Sequence, residues 1–313
     1  MVRRAALVLI SGATIGVMIA AASAQQPGGG ASVRTFDTPE AAAQAFVAAL
    51  QAPTIEPLAQ IVGQPLLDSI PPEERRSDTI RRATGDRLAS QSITIAYEDD
   101  AHTHARAVVG SEGFKVPAPL VRTAQGWMFD GDAGIAEMRQ DRIAANEGNA
   151  IRAVRAYARA QEIYQQRDRD GNGILEYAQR IRGTPGHIDG LVNDEGEFIP
   201  GPATSLLNQA FARAEGSPDD PQFYPAGGYG YRILTAQGAN AEGGALSYIV
   251  NGHMTEGFAI VAWPTRPGDN GESTFIMNQA GIIFEHEFGD DTAKAVTAID
   301  SYDPGPDWTQ VEE

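Results

Sequence analysis

The sequence predicts an α+β protein: N-terminal helices with an antiparallel meander, a long linking helix, and a C-terminal domain in which a helix packs on an antiparallel sheet. Three observations lead there. Apolar residues recur at helical spacing in 39–50 and again across 132–166. Between 93 and 129 they recur at every second position instead. After 167 short apolar runs alternate with clusters of Gly, Asn, Asp and Pro. Strand patterns on both sides of one strand-free helical stretch divide the chain into 1–24, 25–35, 36–131, 132–166, 167–305 and a tail, 306–313.

Residues 1–24 have the three zones of a cleavable signal peptide: Arg3 and Arg4, an apolar stretch from Ala5 to Ala22, then the small-x-small pattern of Ala22, Ser23 and Ala24. The apolar stretch is interrupted by Ser11, Gly12, Thr14 and Gly16, which makes it weak beside the roughly 20 apolar residues of a membrane span. Cleavage near Ala24 and a periplasmic or secreted destination are therefore expected, with no membrane span in the mature protein. Residues 25–35 carry too few apolar groups to pack and read as a flexible leader.

Asp37, Thr38, Pro39 and Glu40 form a helix start, with a capping oxygen, a proline suited to the first turn and an acid suited to the dipole. Phe46, Val47 and Leu50 give the following helix its apolar face. A densely charged helical region is expected at about 72–90. Ile93, Ile95 and Tyr97, then Ala105, Ala107 and Val109, then Phe114, Val116 and Leu120, then Trp127 and Phe129 mark the meander. In the linking helix, Ile151, Val154, Tyr157 and Ala158 share a face and Gly148 is a weak point. Strands are expected at 229–235, 247–251, 258–263, 274–278 and 282–287, with a turn at 278–281.

The chain has 313 residues and no cysteine, so its cores form without disulfides; removing 24 residues leaves 289, enough for two ordinary cores. Its formal charge of −17 becomes −19 once Arg3 and Arg4 are lost. Such a chain is a poor partner for nucleic acid or an anionic membrane, both of which select basic patches.

The sharpest local motif is Asp168-Arg-Asp170-Gly-Asn172-Gly173, the first half of a calcium loop: oxygen side chains at alternate positions, then a glycine for the sharp turn. The Ile174 carbonyl and Glu176 extend the candidate ligand set, while Gln179 stands where a bidentate glutamate is expected. The competing reading is an Asx-rich turn closing the linking helix. His102 and His104 lack an evident third metal ligand. Glu285-His286-Glu287 reads as a solvated strand with His286 facing away from the two glutamates. His187 and Asp189 read as a turn. No nucleophile elbow is present, and the sequence assembles no catalytic residues.

Several strings, among them FDTPEAAAQAFVAAL, DGNGILEYAQRIRGTPGHIDGL, GYGYRILTAQG and TFIMNQAGIIFEHEFG, resemble the bacterial family catalogued as domain of unknown function 2950 over roughly 36–292. That resemblance implies an exported protein and supplies no catalytic residues. NEGNAIRAVRAYARAQEIY followed by GYGYRI and STFIMNQAGII is more distantly similar to the heads of type IV pilins and pseudopilins, which implies a pilin-head-like C-terminal domain. The apolar N-terminus departs from a pilin, because it carries a conventional cleavage pattern. The expectation is a non-catalytic binding or envelope-accessory protein, with an envelope protein or small ligand as partner. A hydrolase of envelope polymers and a small-ligand carrier stand as alternatives.

Overall fold

The computed structural model of the protein describes residues 33–70, 76–111, 113–184, 186–187, 189–192 and 224–312. The expected signal peptide lies outside them. Four helices open the chain: α1 (Pro39–Gln51), α2 (Glu56–Val62), α3 (Gln64–Asp68) and α4 (Asp78–Ala89). Thr38 caps α1 by accepting from the Ala41 N–H at 3.1 Å, and Ser77 caps α4. Each of the first three helices carries a proline in its first turn, where no intrahelical N–H is lost. The charged helix is shorter than 72–90: capping by Ser77 sets its start.

Five strands follow, β1 (Ile93–Tyr97), β2 (His104–Val109), β3 (Phe114–Lys115), β4 (Leu120–Thr123) and β5 (Gly126–Phe129). They form one antiparallel sheet in the order β1-β2-β4-β5, with β3 also paired to β2. Ala105, Ala107 and Val109 are buried at alternate positions, as a sheet with one covered face requires. Phe46, Val47, Leu88, Leu120, Trp127 and Phe129 belong to the core between this sheet and the helices.

Helix α5 (Gly131–Tyr164) is capped by Asp130 and runs unbroken through Gly148. The residues beside that glycine are held from outside the helix. Asn146 donates to the Asn270 carbonyl at 2.9 Å, and Glu147 accepts from the Glu272 and Ser273 N–H groups at 2.9 and 3.1 Å. These external bonds offset the poor helix propensity of glycine. Ile135 and Met138 pack on the N-terminal core, whereas Ala150, Ala153, Val154, Tyr157 and Tyr164 are buried in a second core. Ile151 and Ala158 sit only at the margin of that second face. Gln161, fully buried, satisfies its amide on the Ala178 backbone and donates to the Tyr157 hydroxyl.

The second core lies on a six-stranded antiparallel sheet. Its strands are β6 (Tyr224–Ala226), β7 (Tyr229–Leu234), β12 (Ala259–Pro264), β13 (Ser273–Asn278), β14 (Ile283–Glu287) and β15 (Thr309–Gln310), in the order β15-β14-β13-β12-β7-β6. Short pairs β8 (Ala236–Gln237) with β9 (Leu246–Ser247), and β10 (Ile249–Val250) with β11 (His253–Met254), flank it. The single strand expected at 247–251 is thus split, because the buried Tyr248 lies between β9 and β10 and hydrogen-bonds Gln237. Every residue of β13 is buried. A last helix, α6 (Thr292–Ala298), contacts β12, and Arg232 of β7 donates to the Val296 and Ile299 carbonyls at its end. The architecture is α+β, with N-terminal helices, an antiparallel sheet, a long helix and a C-terminal region of sheet and helix.

Candidate functional site: an apolar cleft among the N-terminal helices

The spacing of Leu58, Ile61 and Val62 buries one face of α2, and Leu66 and Leu67 do the same for α3. Gly63, at φ 88° between the two helices, provides the sharp change of direction. The two short helices do not close against α4. Between them remains a cavity of about 460 Å³, within the size range of small-molecule sites. Phe46 and Leu50 of α1 line it, with Phe114 and Met138 contributed by β3 and α5. At its margin Ile55 and Ile80 are 43% and 50% exposed, two of the few large apolar side chains so open to solvent among the described residues.

Among the described lining residues the polar groups are few, and most are already engaged. Gln64 donates to the Asp68 carboxylate at 2.8 Å, and the Thr84 hydroxyl donates to the Ile80 carbonyl. Arg81, 7% exposed, donates to the Leu50 and Ala49 carbonyls at 2.7 and 3.3 Å and so closes the C-terminal end of α1. It also reaches Asp78 at 3.1 Å. Arg76 stands exposed at the cleft and makes no ion pair with a described residue.

The five histidines are dispersed. His102 stacks on Tyr97 with ring centroids 4.1 Å apart, while His104 pairs with Asp99 at 2.6 Å, so the two histidines have separate partners. The Thr103 backbone N–H, aided by His104, holds Asp99 well below the usual carboxylate range. The backbone N–H of His187 donates to the Thr184 carbonyl, and the Thr184 N–H and hydroxyl both donate to Asp189, so the Asp189 carboxylate is engaged locally. His286 does face away from its two glutamates, but into a half-buried cluster with Phe288 and Trp308 rather than into solvent. Its Nδ1 lies 2.7 Å from the Asp307 carbonyl, which can only accept, so Nδ1 carries the proton. The local strand pattern carries no sign of the C-terminal segment that covers that face.

The loop after α5 places Asp168, Asp170 and Asn172 in one exposed turn, with Gly171 and Gly173 at positive φ. Asp168 accepts from the Gly173 and Gly171 N–H groups, each at 2.8 Å, and these bonds lower its pKa. Asp170 accepts from Asn172, and Asn172 from the Ile174 N–H. Glu176 pairs with His253 at 3.2 Å, and Gln179 donates to the Gly252 carbonyl, so both side chains turn toward the β10–β11 hairpin. Among the described residues no three His, Asp or Glu side chains gather as a metal-binding group.

Sequence reasoning missed the cleft. The signal was present as the apolar spacing of Leu58, Ile61, Val62, Leu66 and Leu67, but α2 and α3 have only seven and five residues, too few for a periodic pattern to stand out. Fold and cleft together define an α+β protein with two hydrophobic cores and an apolar cavity in the first. Over residues 33–311 the chain matches the family described as protein of unknown function (DUF2950), and it belongs to that family. No curated protein and no solved structure matches it. Among the described residues no helix is long and apolar enough to cross a membrane.

Proposed function

We propose that this is an exported, non-catalytic binding protein that carries a small apolar ligand in the cleft between α1, α2, α3 and α4. The observation that carries this reading is the cleft itself: apolar walls drawn from six elements and a volume suited to one small molecule. A hydrolase of envelope polymers calls for paired carboxylates at a cleft. Here Asp68 is the one carboxylate among the described lining residues, and Gln64 holds it. Export follows from the three zones of residues 1–24, with cleavage near Ala24 and release into the periplasm or beyond the cell. An envelope partner and the pilin-head likeness of the C-terminal half belong to the same proposal. In favour of the latter, α5 packs its second half on an antiparallel meander. Native mass spectrometry of protein purified from its own envelope fraction tests the main reading. A co-purifying small apolar mass, lost on narrowing the cleft with Val62→Phe, is expected. A chain that starts at Met1, or that releases fragments of envelope polymer, would overturn it.

Calcium at the Asp168 loop is a second reading. In its favour, Asp168, Asp170 and Asn172 share one tight turn, and a carboxylate oxygen that accepts one N–H retains a further lone pair. With Glu176 held by His253 and Gln179 directed elsewhere, affinity falls toward the roughly 10⁻⁴–10⁻³ M of extracellular modules. Thermal melting with calcium against chelator, on wild type and Asp170→Ala, tests it. Identical melting of the wild type in both conditions leaves the loop as a turn.

A further inference from the structure

We propose that the ligand of the N-terminal cleft is a single-chain anionic amphiphile, its hydrocarbon in the cavity and its charged head at Arg76. This rests on the binding-protein reading above and adds the sign and place of the head group. Among the described residues the depth of the cleft offers little to satisfy a polar ligand body: Phe46, Leu58, Val62 and Leu66 are core side chains, and Gln64, Arg81 and Thr84 have internal partners. A polar group carried deep into such a site costs free energy unless it is paired. Only a ligand whose polar part stays at the mouth avoids that cost.

The mouth then selects the charge. Asp68 is held by Gln64, Asp78 is held by Arg81, and the Arg81 guanidinium is committed to the carbonyls ending α1. Among the described lining residues Arg76 is the remaining charged side chain, exposed and without an ion pair to a described residue. In a chain with a formal charge of −17, an exposed arginine with no ion partner among the described residues, beside an open apolar cavity, is an exception to the prevailing field. Ile55 and Ile80, both open to solvent at the same margin, would be covered by the first methylenes of such a ligand. A fatty acid and a lysophospholipid share this chemistry, a single chain with an anionic head.

The test uses the mature chain and displacement of a neutral naphthylamine dye by three twelve-carbon probes: dodecanoate, dodecanol and dodecyltrimethylammonium. Dodecanoate is expected to bind about twofold to fivefold more tightly than dodecanol, the range that an exposed ion pair supplies. The cationic probe should bind weakest, and the spread should narrow as salt is raised. Arg76→Gln should collapse the dodecanoate-to-dodecanol ratio to near one, and Ile80→Glu should lower dodecanoate affinity most of the three. Equal affinities for dodecanoate and dodecanol in the wild type, or an unchanged ratio in Arg76→Gln, overturn the anionic assignment while the cleft remains a binding site. Failure of dye and all three probes to bind overturns the assignment and the binding-protein reading together. Competition by lysophosphatidylglycerol against dodecanoate separates the two natural sources of the head group.

Discussion

Replacing Arg81 by methionine removes a buried guanidinium while keeping most of the aliphatic stem that packs between α1 and α4. The 2.7 Å bond to the Leu50 carbonyl joins a charged donor to a helix end, worth about 1.5–3 kcal/mol. The bond to Ala49 adds less: it is 3.3 Å long, and that carbonyl also accepts from the Ala52 N–H. Losing the positive charge at the C-terminus of α1 removes about 0.3–1 kcal/mol more. The pair with Asp78, whose side chain is 63% exposed, contributes little. Arg81→Met should therefore cost about 2–4 kcal/mol in urea unfolding followed by circular dichroism, and Asp78→Asn less than about 1 kcal/mol. Arg81→Lys should fall between them, since one ammonium reaches a carbonyl but not the fork to Asp78. If Arg81→Met lies within about 0.5 kcal/mol of wild type, surface-like behaviour, the capping argument is wrong. Equal losses for Arg81→Met and Asp78→Asn would instead place the energy in the ion pair.

At Gly85, helix propensity alone favours alanine by about 1 kcal/mol, yet an added Cβ would lie 2.9 Å from the Gln51 backbone nitrogen and the Leu50 Cβ. Gly85→Ala should accordingly destabilise by about 1–3 kcal/mol, and a rise in melting temperature would show that α1 and α4 separate freely. Glu147→Ala leaves the buried Ser273 N–H without its acceptor, so a loss of about 1–3 kcal/mol is expected, with faster amide exchange of residues 270–273; unchanged exchange there would count against it. Asp99 has a folded pKa below its unfolded value of about 3.8, so its contribution is present above that value and lost as pH falls through the depressed one. Asp99→Asn should thus reduce stability at pH 7 and flatten the acid limb of a melting-temperature profile between pH 7 and 2, whereas a limb of unchanged slope would refute the linkage.

The N-terminal sheet was legible because one of its faces is more deeply buried than the other, so burial alternates along β2 and the sequence alternates with it. In the second sheet β13 is covered on both sides and shows no alternation; its apolar run between turn residues marked it instead. The turn at 278–281 was readable from Asn278 and Gly281, which accepts φ 77° there. What could not be read depends on partners remote in the chain. Tyr248 is buried by its bond to Gln237, and this breaks a strand that propensity alone would continue. Gly148 reads as a weak point until the 268–273 loop is seen holding Asn146 and Glu147. The cleft is the extreme case, for its walls run from Phe46 to Met138 and no window of sequence contains them together. Asp168, Asp170 and Asn172 do fall in one turn as their spacing suggests, but the His253 contact that occupies Glu176 comes from a hairpin far along the chain.

Helix α5 places Met138 in one core and Ala150 in the other, with the 268–273 loop fastened between them at Asn146 and Glu147. This arrangement restricts how such a chain can be recombined. A splice in a loop, at 130 for example, would move the cleft's Met138 away from the other residues that line it. A splice after Tyr164 would strip the second sheet of its covering helix. The least disruptive junction lies inside the helix, between Met138 and Asn146, where Ile143 is the one buried residue and belongs to neither of the two cores formed by the described residues. Even there both fragments must continue one unbroken α-helical phase, since a single inserted residue rotates everything beyond it by about 100°. The two cores are therefore free to diverge in sequence but not in register, and a chimera of two relatives should fold only when its junction keeps the helix at constant length.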